Sequence, residues 1–196
     1  MAKSIKLGID FGITNTDVVI SKNSKLDFRS FDSKGASFDF LKEIVDSCVS
    51  EVDDLIKIGV TGGKHLDLPS CYGDIKIDHS NEIDAIVNGA SLLYKPEETS
   101  FMVISLGSGS ACAIKKNNEI FHAGGTGLGG GTIKGLSSLI IQEDSPEIIN
   151  SLAAKGEKEK LDLLLKDVVS GPIGNLPETA SAVYFGRSEF SDCSKE

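Results

Sequence analysis

Short apolar runs separated by polar, glycine-bearing turns set the rhythm of the chain. Residues 5–11 (Ile-Lys-Leu-Gly-Ile-Asp-Phe) and 16–21 are strand-length segments around a polar turn, Gly12-Ile13-Thr14-Asn15. A third strand follows at about Leu26–Phe31, completing a β-meander. Leu41, Ile44, Val45, Cys48 and Val49 then recur at helical spacing, which predicts an amphipathic helix over 37–51. Strands are expected at Leu55–Val60, ending in Thr61-Gly62-Gly63, and at Asp74–Asp78. Ile83, Ile86, Val87, Ala90 and Leu93 outline the apolar face of a helix from about Asn81 to Tyr94.

Lys95-Pro96-Glu97-Glu98 stops that helix and divides the chain into a first lobe, 1–97, and a second, 98–196. The second part opens as the first does. A strand at Phe101–Leu106 leads through Gly107-Ser108-Gly109 to a returning strand at Ala111–Lys115, and a hairpin turn leads on to Ile120–Ala123. A glycine-rich loop and a helix over about 131–141 come next, then helices at 147–154 and 158–169 and a loop around Gly171-Pro172-Ile173-Gly174. The last six residues are polar and expected to fray. The pattern is that of an α/β protein.

Composition narrows the choice. With 40% apolar and 25% charged residues, the 196-residue chain is of ordinary globular make-up. Its apolar runs are strand-sized and no targeting segment precedes the first strand, which predicts a cytoplasmic protein without a membrane span. Cys48, Cys71, Cys112 and Cys193 are scattered without a Cys-x-x-Cys pair and read as free thiols. A net charge of −9 excludes a general nucleic-acid binder, which needs a basic face. An acidic chain can still hold a polyanion through backbone N–H groups, helix N-termini and a metal ion.

Four segments could supply that chemistry. In Gly8-Ile9-Asp10-Phe11-Gly12-Ile13-Thr14-Asn15-Thr16 a strand ends in a carboxylate able to hold hydrated Mg²⁺ beside a turn rich in N–H and hydroxyl donors. A plain hairpin would use the same residues. Gly107-Ser108-Gly109-Ser110 repeats the device between two strands, with the same alternative. His122-Ala123-Gly124-Gly125-Thr126-Gly127-Leu128-Gly129-Gly130-Gly131-Thr132 packs six glycines into residues 124–131. That many glycines cost folding entropy, and the run feeds a helix N-terminus suited to a phosphate. It also satisfies Gly-x-Gly-x-x-Gly, but no acidic residue closes a second strand some 20 residues on, which argues against a dinucleotide fold; a Walker A loop is absent. In Asp78-His79-Ser80-Asn81-Glu82-Ile83-Asp84-Ala85, Asn81 is a plausible N-cap. Glu82 then lies in the first helical turn, as a dipole partner or as a general base.

In this order the motifs resemble the type II pantothenate kinase family. The matching text is Gly-Ile-Asp-Phe-Gly-x-Thr at 8–14, Thr-Gly-Gly at 61–63, Asn-Glu-Ile-Asp-Ala at 81–85, Gly-Ser-Gly-Ser at 107–110 and Gly-Gly-Thr-Gly-x-Gly-Gly-Gly-Thr at 124–132. Phe185-Gly186, near Leu176-Pro177, also fits. The resemblance implies a two-lobed actin-like ATPase (ribonuclease H-like) fold and transfer of the ATP γ-phosphoryl group to the primary hydroxyl of pantothenate. It makes Glu82 the general base and gives Asp10 to Mg²⁺. Gly12, Thr14, Asn15, Ser108 and Gly109 would surround the phosphates, and Gly129, Gly130, Gly131 and Thr132 the nucleotide side. His122 stands where several members carry a substrate-contacting arginine.

Members of that family continue beyond the point matching Glu196, so the second lobe is expected to be incomplete and to draw on a homodimer or a complementary C-terminal lobe. Two other readings stay open: a sugar or amino-sugar kinase of the same fold, and a non-catalytic half that binds nucleotide.

Overall fold

A computed structural model describes residues 4–49, 54–171 and 173–187. The chain divides into two compact units, Met1–Thr132 and Ile133–Glu196.

The first unit holds two sheets. The larger, ordered β3-β2-β1-β4-β6-β5, begins as an antiparallel meander of β1 (Ile5–Phe11), β2 (Asn15–Lys22) and β3 (Lys25–Asp32). Asn23 and Ser24 both take positive φ (51° and 63°) and close β2 onto β3 in a two-residue turn whose twist matches the strands. α1 (Phe38–Cys48) then crosses the sheet and returns the chain to β4 (Leu55–Gly62), parallel to β1. The hydroxyl of Ser37 caps α1 by accepting from the Phe40 N–H. β5 (Cys71–Tyr72), which the sequence pattern does not reveal, forms a small hairpin with β6 (Ile75–His79), and β6 lies parallel to β4.

Alternation along β1 buries Ile5, Leu7, Ile9 and Phe11 on one face with Val18, Ile20, Ile58, Val60 and Ile77 from the neighbouring strands. Phe40, Leu41, Ile44 and Val45 of α1 pack into the same core. The opposite face carries Gly8, Asp10, Asp17, Val19, Gly59 and Thr61 around a depression of about 600 Å³.

α2 (Glu82–Tyr94) leads to the second sheet, the antiparallel meander β7 (Ser100–Leu106), β8 (Ser110–Lys116) and β9 (Glu119–Thr126). Ala113 on β8 is fully buried, as is Val87 on α2, and the Lys115 ammonium reaches the Ser91 hydroxyl at 3.5 Å. The Ala113/Lys115 face of the sheet is thus the one α2 covers. The other face bears Met102, Ile104 and Leu106, which are 60%, 59% and 78% exposed, beside Phe121. The glycine-rich run differs from expectation. Gly124, Gly125 and Thr126 pair with β8 and belong to β9, so the loop proper is only Gly127–Gly129 before α3 (Gly130–Ile141).

The second unit contains the rest of α3 and α4 (Pro146–Ala153), capped by Ser145 with proline in its first turn. The single helix expected over 158–169 is replaced by a 3-10 turn at Lys158–Lys160, β10 (Leu163–Leu164) and α5 (Leu165–Val168). The side chain of Asp162 explains the break. It accepts from the Ser181 hydroxyl at 2.5 Å and the Phe185 N–H at 3.0 Å, drawing β10 against β11 (Ser181–Val183). The expected fraying of the last six residues, and the end of the helix expected over 37–51, lie outside the described residues.

Candidate functional site

The ends of β1, β4 and β6 bring the first-sheet candidates together. Asp10 closes β1 on the open face. At Gly62, the penultimate step of the Thr61-Gly62-Gly63 segment, φ is +88° and an added Cβ would strike the Asp10 carboxylate and the Phe11 carbonyl. Only glycine lets this turn lie so close to the carboxylate. The Gly63 N–H donates to the Phe11 carbonyl at 2.8 Å, and the Thr61 hydroxyl to the Ser80 carbonyl at 3.0 Å. The end of β4 is thereby tied to its neighbours on both sides. Asn81 caps α2, its side-chain oxygen accepting from the Ile83 N–H at 2.9 Å, and this places Glu82 at the helix start.

Burial pushes the Asp10 carboxyl above the usual aspartate value, and the charges of Glu82 and then Asp17 push it the same way. The site is therefore overloaded with negative charge. Among the described residues, no group of three or more His, Cys, Asp or Glu side chains could hold a metal by itself. A lone carboxylate in a field of others suits Mg²⁺ that completes its shell with water and phosphate oxygens.

The second-sheet candidates form one interlocked unit. The Gly107 N–H donates to the Gly109 carbonyl across the turn. The N–H groups of Gly130 and Gly131, at the start of α3, donate to the Gly107 and Ser108 carbonyls at 2.9 and 3.0 Å. They thus brace the turn instead of standing open to solvent. A Cβ on Gly129 would lie 2.7 Å from both of those carbonyl oxygens. The Thr132 hydroxyl donates to the Gly127 carbonyl and accepts from the Gly129 N–H, which closes the loop.

One contact joins the two turns. The Thr14 and Ser108 hydroxyls meet at 2.8 Å, so the phosphate-loop candidates of both sheets share a hydrogen bond. Gly12 is held alongside through its carbonyl, which accepts from the Ser33 hydroxyl at 2.7 Å. Asn15 is exposed at the start of β2. His122 pairs across the sheet with Ala113, which places it on the side that α2 covers, but no hydrogen bond among the described residues joins it to Glu82. Sequence reading gave no role to Gly62, Asp17, His65 or His79, all of which lie at this end of the first sheet. Gly62 stood in a quoted motif, but its contact with Asp10 is visible only once β4 lies beside β1.

The family model named Fumble matches residues 95–195, more than half of the chain. The chain belongs to the Fumble family. Proteins similar to the chain include several named type II pantothenate kinase. That of Bacillus thuringiensis subsp. konkukian is 30% identical over 187 residues, covering 93% of this chain and 66% of the relative. That of Oceanobacillus iheyensis is 24% identical over 186 residues, again 66% of the relative. The chain thus spans about two thirds of the length of these relatives. Among solved structures, Lmo2764 of Listeria monocytogenes, titled as a candidate N-acetylmannosamine kinase, superposes with a TM-score of 0.54 at 12% identity. That match covers 78% of this chain and 71% of that one. A ROK family transcriptional regulator superposes at 0.50, with 13% identity, 78% of this chain and 56% of that one. The fold of this Fumble member is the actin-like ATPase fold. No helix among the described residues is long and apolar enough to cross a membrane.

Proposed function

We propose that this chain is a phosphotransferase that moves the γ-phosphoryl group of ATP onto the primary hydroxyl of pantothenate. The observation that carries the reading is the junction of the two sheets. Asp10 and Glu82 lie within electrostatic reach of each other at the end of the first sheet, where Thr14 bridges to Ser108 of the second. The names of the relatives support pantothenate as acceptor. Glu82 would accept the hydroxyl proton as the oxygen attacks phosphorus. Thr14 and Ser108 would turn from each other to the phosphate oxygens, and the braced turn at 107–109 would hold its backbone in place. Mg²⁺ held at Asp10 would neutralise phosphate charge, which together with positioning is most of what phosphoryl transfer requires.

His122 in place of an arginine keeps a second reading in view, an amino-sugar or sugar acceptor. A non-catalytic nucleotide-binding half is the third. The test is ADP release by residues 1–196, alone and with a complementary C-terminal lobe supplied as a second chain. Pantothenate should be turned over, and N-acetylglucosamine and glucose should not. His122→Ala should raise KM for pantothenate more than KM for ATP. Turnover of a sugar without pantothenate would transfer the protein to the second reading; nucleotide binding without turnover under either condition would transfer it to the third.

A further inference from the structure

Two histidines with no part in that transfer lie beside it. His65 begins a 3-10 turn three residues after Gly62, and His79 ends β6 three residues before Glu82. Their Nδ1 atoms are 3.3 Å apart and their rings 5.5 Å between centroids, tilted by 31°. At that separation one Nδ1 donates and the other accepts. The pair can then be neutral or singly protonated, but a second proton removes the acceptor and sets two cations against each other. The same segments are tied by two further bonds: the Thr61 hydroxyl donates to the Ser80 carbonyl, and the Ser80 N–H to the Val60 carbonyl at 2.9 Å. Asn81 and its cap on α2 follow at once.

We propose that His65 and His79 are positioning residues for Glu82: they form a proton-sharing clamp between the turn after β4 and the start of α2, which double protonation opens. The first turn of α2 carries Glu82 and Asp84, of which Glu82 acts on His65 through its charge; Lys64 and Asp67 flank His65 in its own turn. Asp78, next to His79, is already engaged by the Lys57 and Lys76 ammoniums at 2.7 and 2.9 Å. Burial, then the neighbouring His79, holds His65 below the ordinary imidazole value, while Glu82 pulls it upward. Interacting sites of this kind titrate as a pair. The catalytic consequence rests on Glu82 acting as base, whereas the clamp itself does not.

The experiment is an NMR titration of the imidazoles and backbone amides of the full chain, with a pH–rate profile beside it. Two macroscopic steps belonging to the pair are expected, and the Glu82 and Ile83 amide signals should move with the lower one. In His79→Ala, His65 should titrate in a single step, still held down by burial but released from the lowering due to its neighbour, and those amides should no longer follow. In His65→Ala the Glu82 and Ile83 amides should likewise stop following an imidazole titration. In both variants kcat should fall roughly ten- to a hundredfold with KM for ATP unchanged, and the acid limb of the profile should move. Independent titration of the histidines in the wild type, or α2 amides indifferent to the pair, would overturn the clamp. Full turnover in Glu82→Gln would instead sink the base reading and leave the coupled titration standing.

Discussion

Asp10 sits under opposing demands. In the free protein its carboxylate faces burial and two neighbouring charges, all of which favour the protonated form. A carboxyl raised in the folded state binds more protons there than in the unfolded chain. Stability is therefore lost as pH rises from the ordinary aspartate value through the raised one. Asp10→Asn removes that penalty, so the nucleotide-free variant should melt at a higher temperature than wild type at pH 7 while losing metal-dependent turnover. Calorimetry with and without Mg-ATP checks both halves. Glu82→Gln separates binding from chemistry: ATP affinity should hold while turnover falls ~10²–10⁴-fold, the usual range for losing a general base. Near-normal turnover would remove Glu82 from the mechanism. At this scale, local geometry could be read from sequence. A strand ending in Asp before Gly-x-Thr, and an N-cap before Glu, are short-range facts. His65 and His79 were not readable, because they lie fourteen positions apart with a hairpin between them, and neither stands in a recognisable spacing.

Elements show the same division. β1 to β4 and α1 follow from apolar spacing and turn chemistry, and α2 from its cap. The sequence misleads where glycine or tertiary pairing overrides propensity. Gly124 and Gly125 look like loop but complete β9, since a neighbouring strand supplies the partner that glycine's own preference does not. Residues 158–169 look helical but are broken by the demand of Asp162 for partners 19 and 23 residues away. Two substitutions test the elements that bear the site. Asn81→Ala should cost about 0.5–2 kcal/mol by uncapping α2, read as a lower denaturation midpoint. Gly129→Ala should destabilise by roughly 1–3 kcal/mol, since its methyl group would meet the carbonyls of Gly107 and Ser108. Gly127→Ala, with open space at its Cβ, should be close to neutral. Equal effects at 127 and 129 would show that the braced turn is not what holds the start of α3.

The whole molecule shows which surfaces its layers cover. α1 seals one face of the large sheet and α2 one face of the small sheet, but Met102, Ile104 and Leu106 form an apolar row on the side away from α2. Rows of that kind mark surfaces that meet another polypeptide. Light scattering on residues 1–196 should therefore show self-association, and Ile104→Lys should reduce it. A strictly monomeric wild type would refute that expectation. The fold could be inferred from motif order, whereas this open face is a property of the assembled sheet that no single segment announces. The Thr14–Ser108 bridge has a mechanical meaning for the same assembly. It spans 94 residues of chain yet consists of two exposed hydroxyls, which water satisfies almost as well when they separate. A bond of that type is worth about 1 kcal/mol, so by itself it restrains the two turns only weakly. It behaves as a detent: it keeps the two turns in register at rest, and yields to a phosphate without unfolding either sheet.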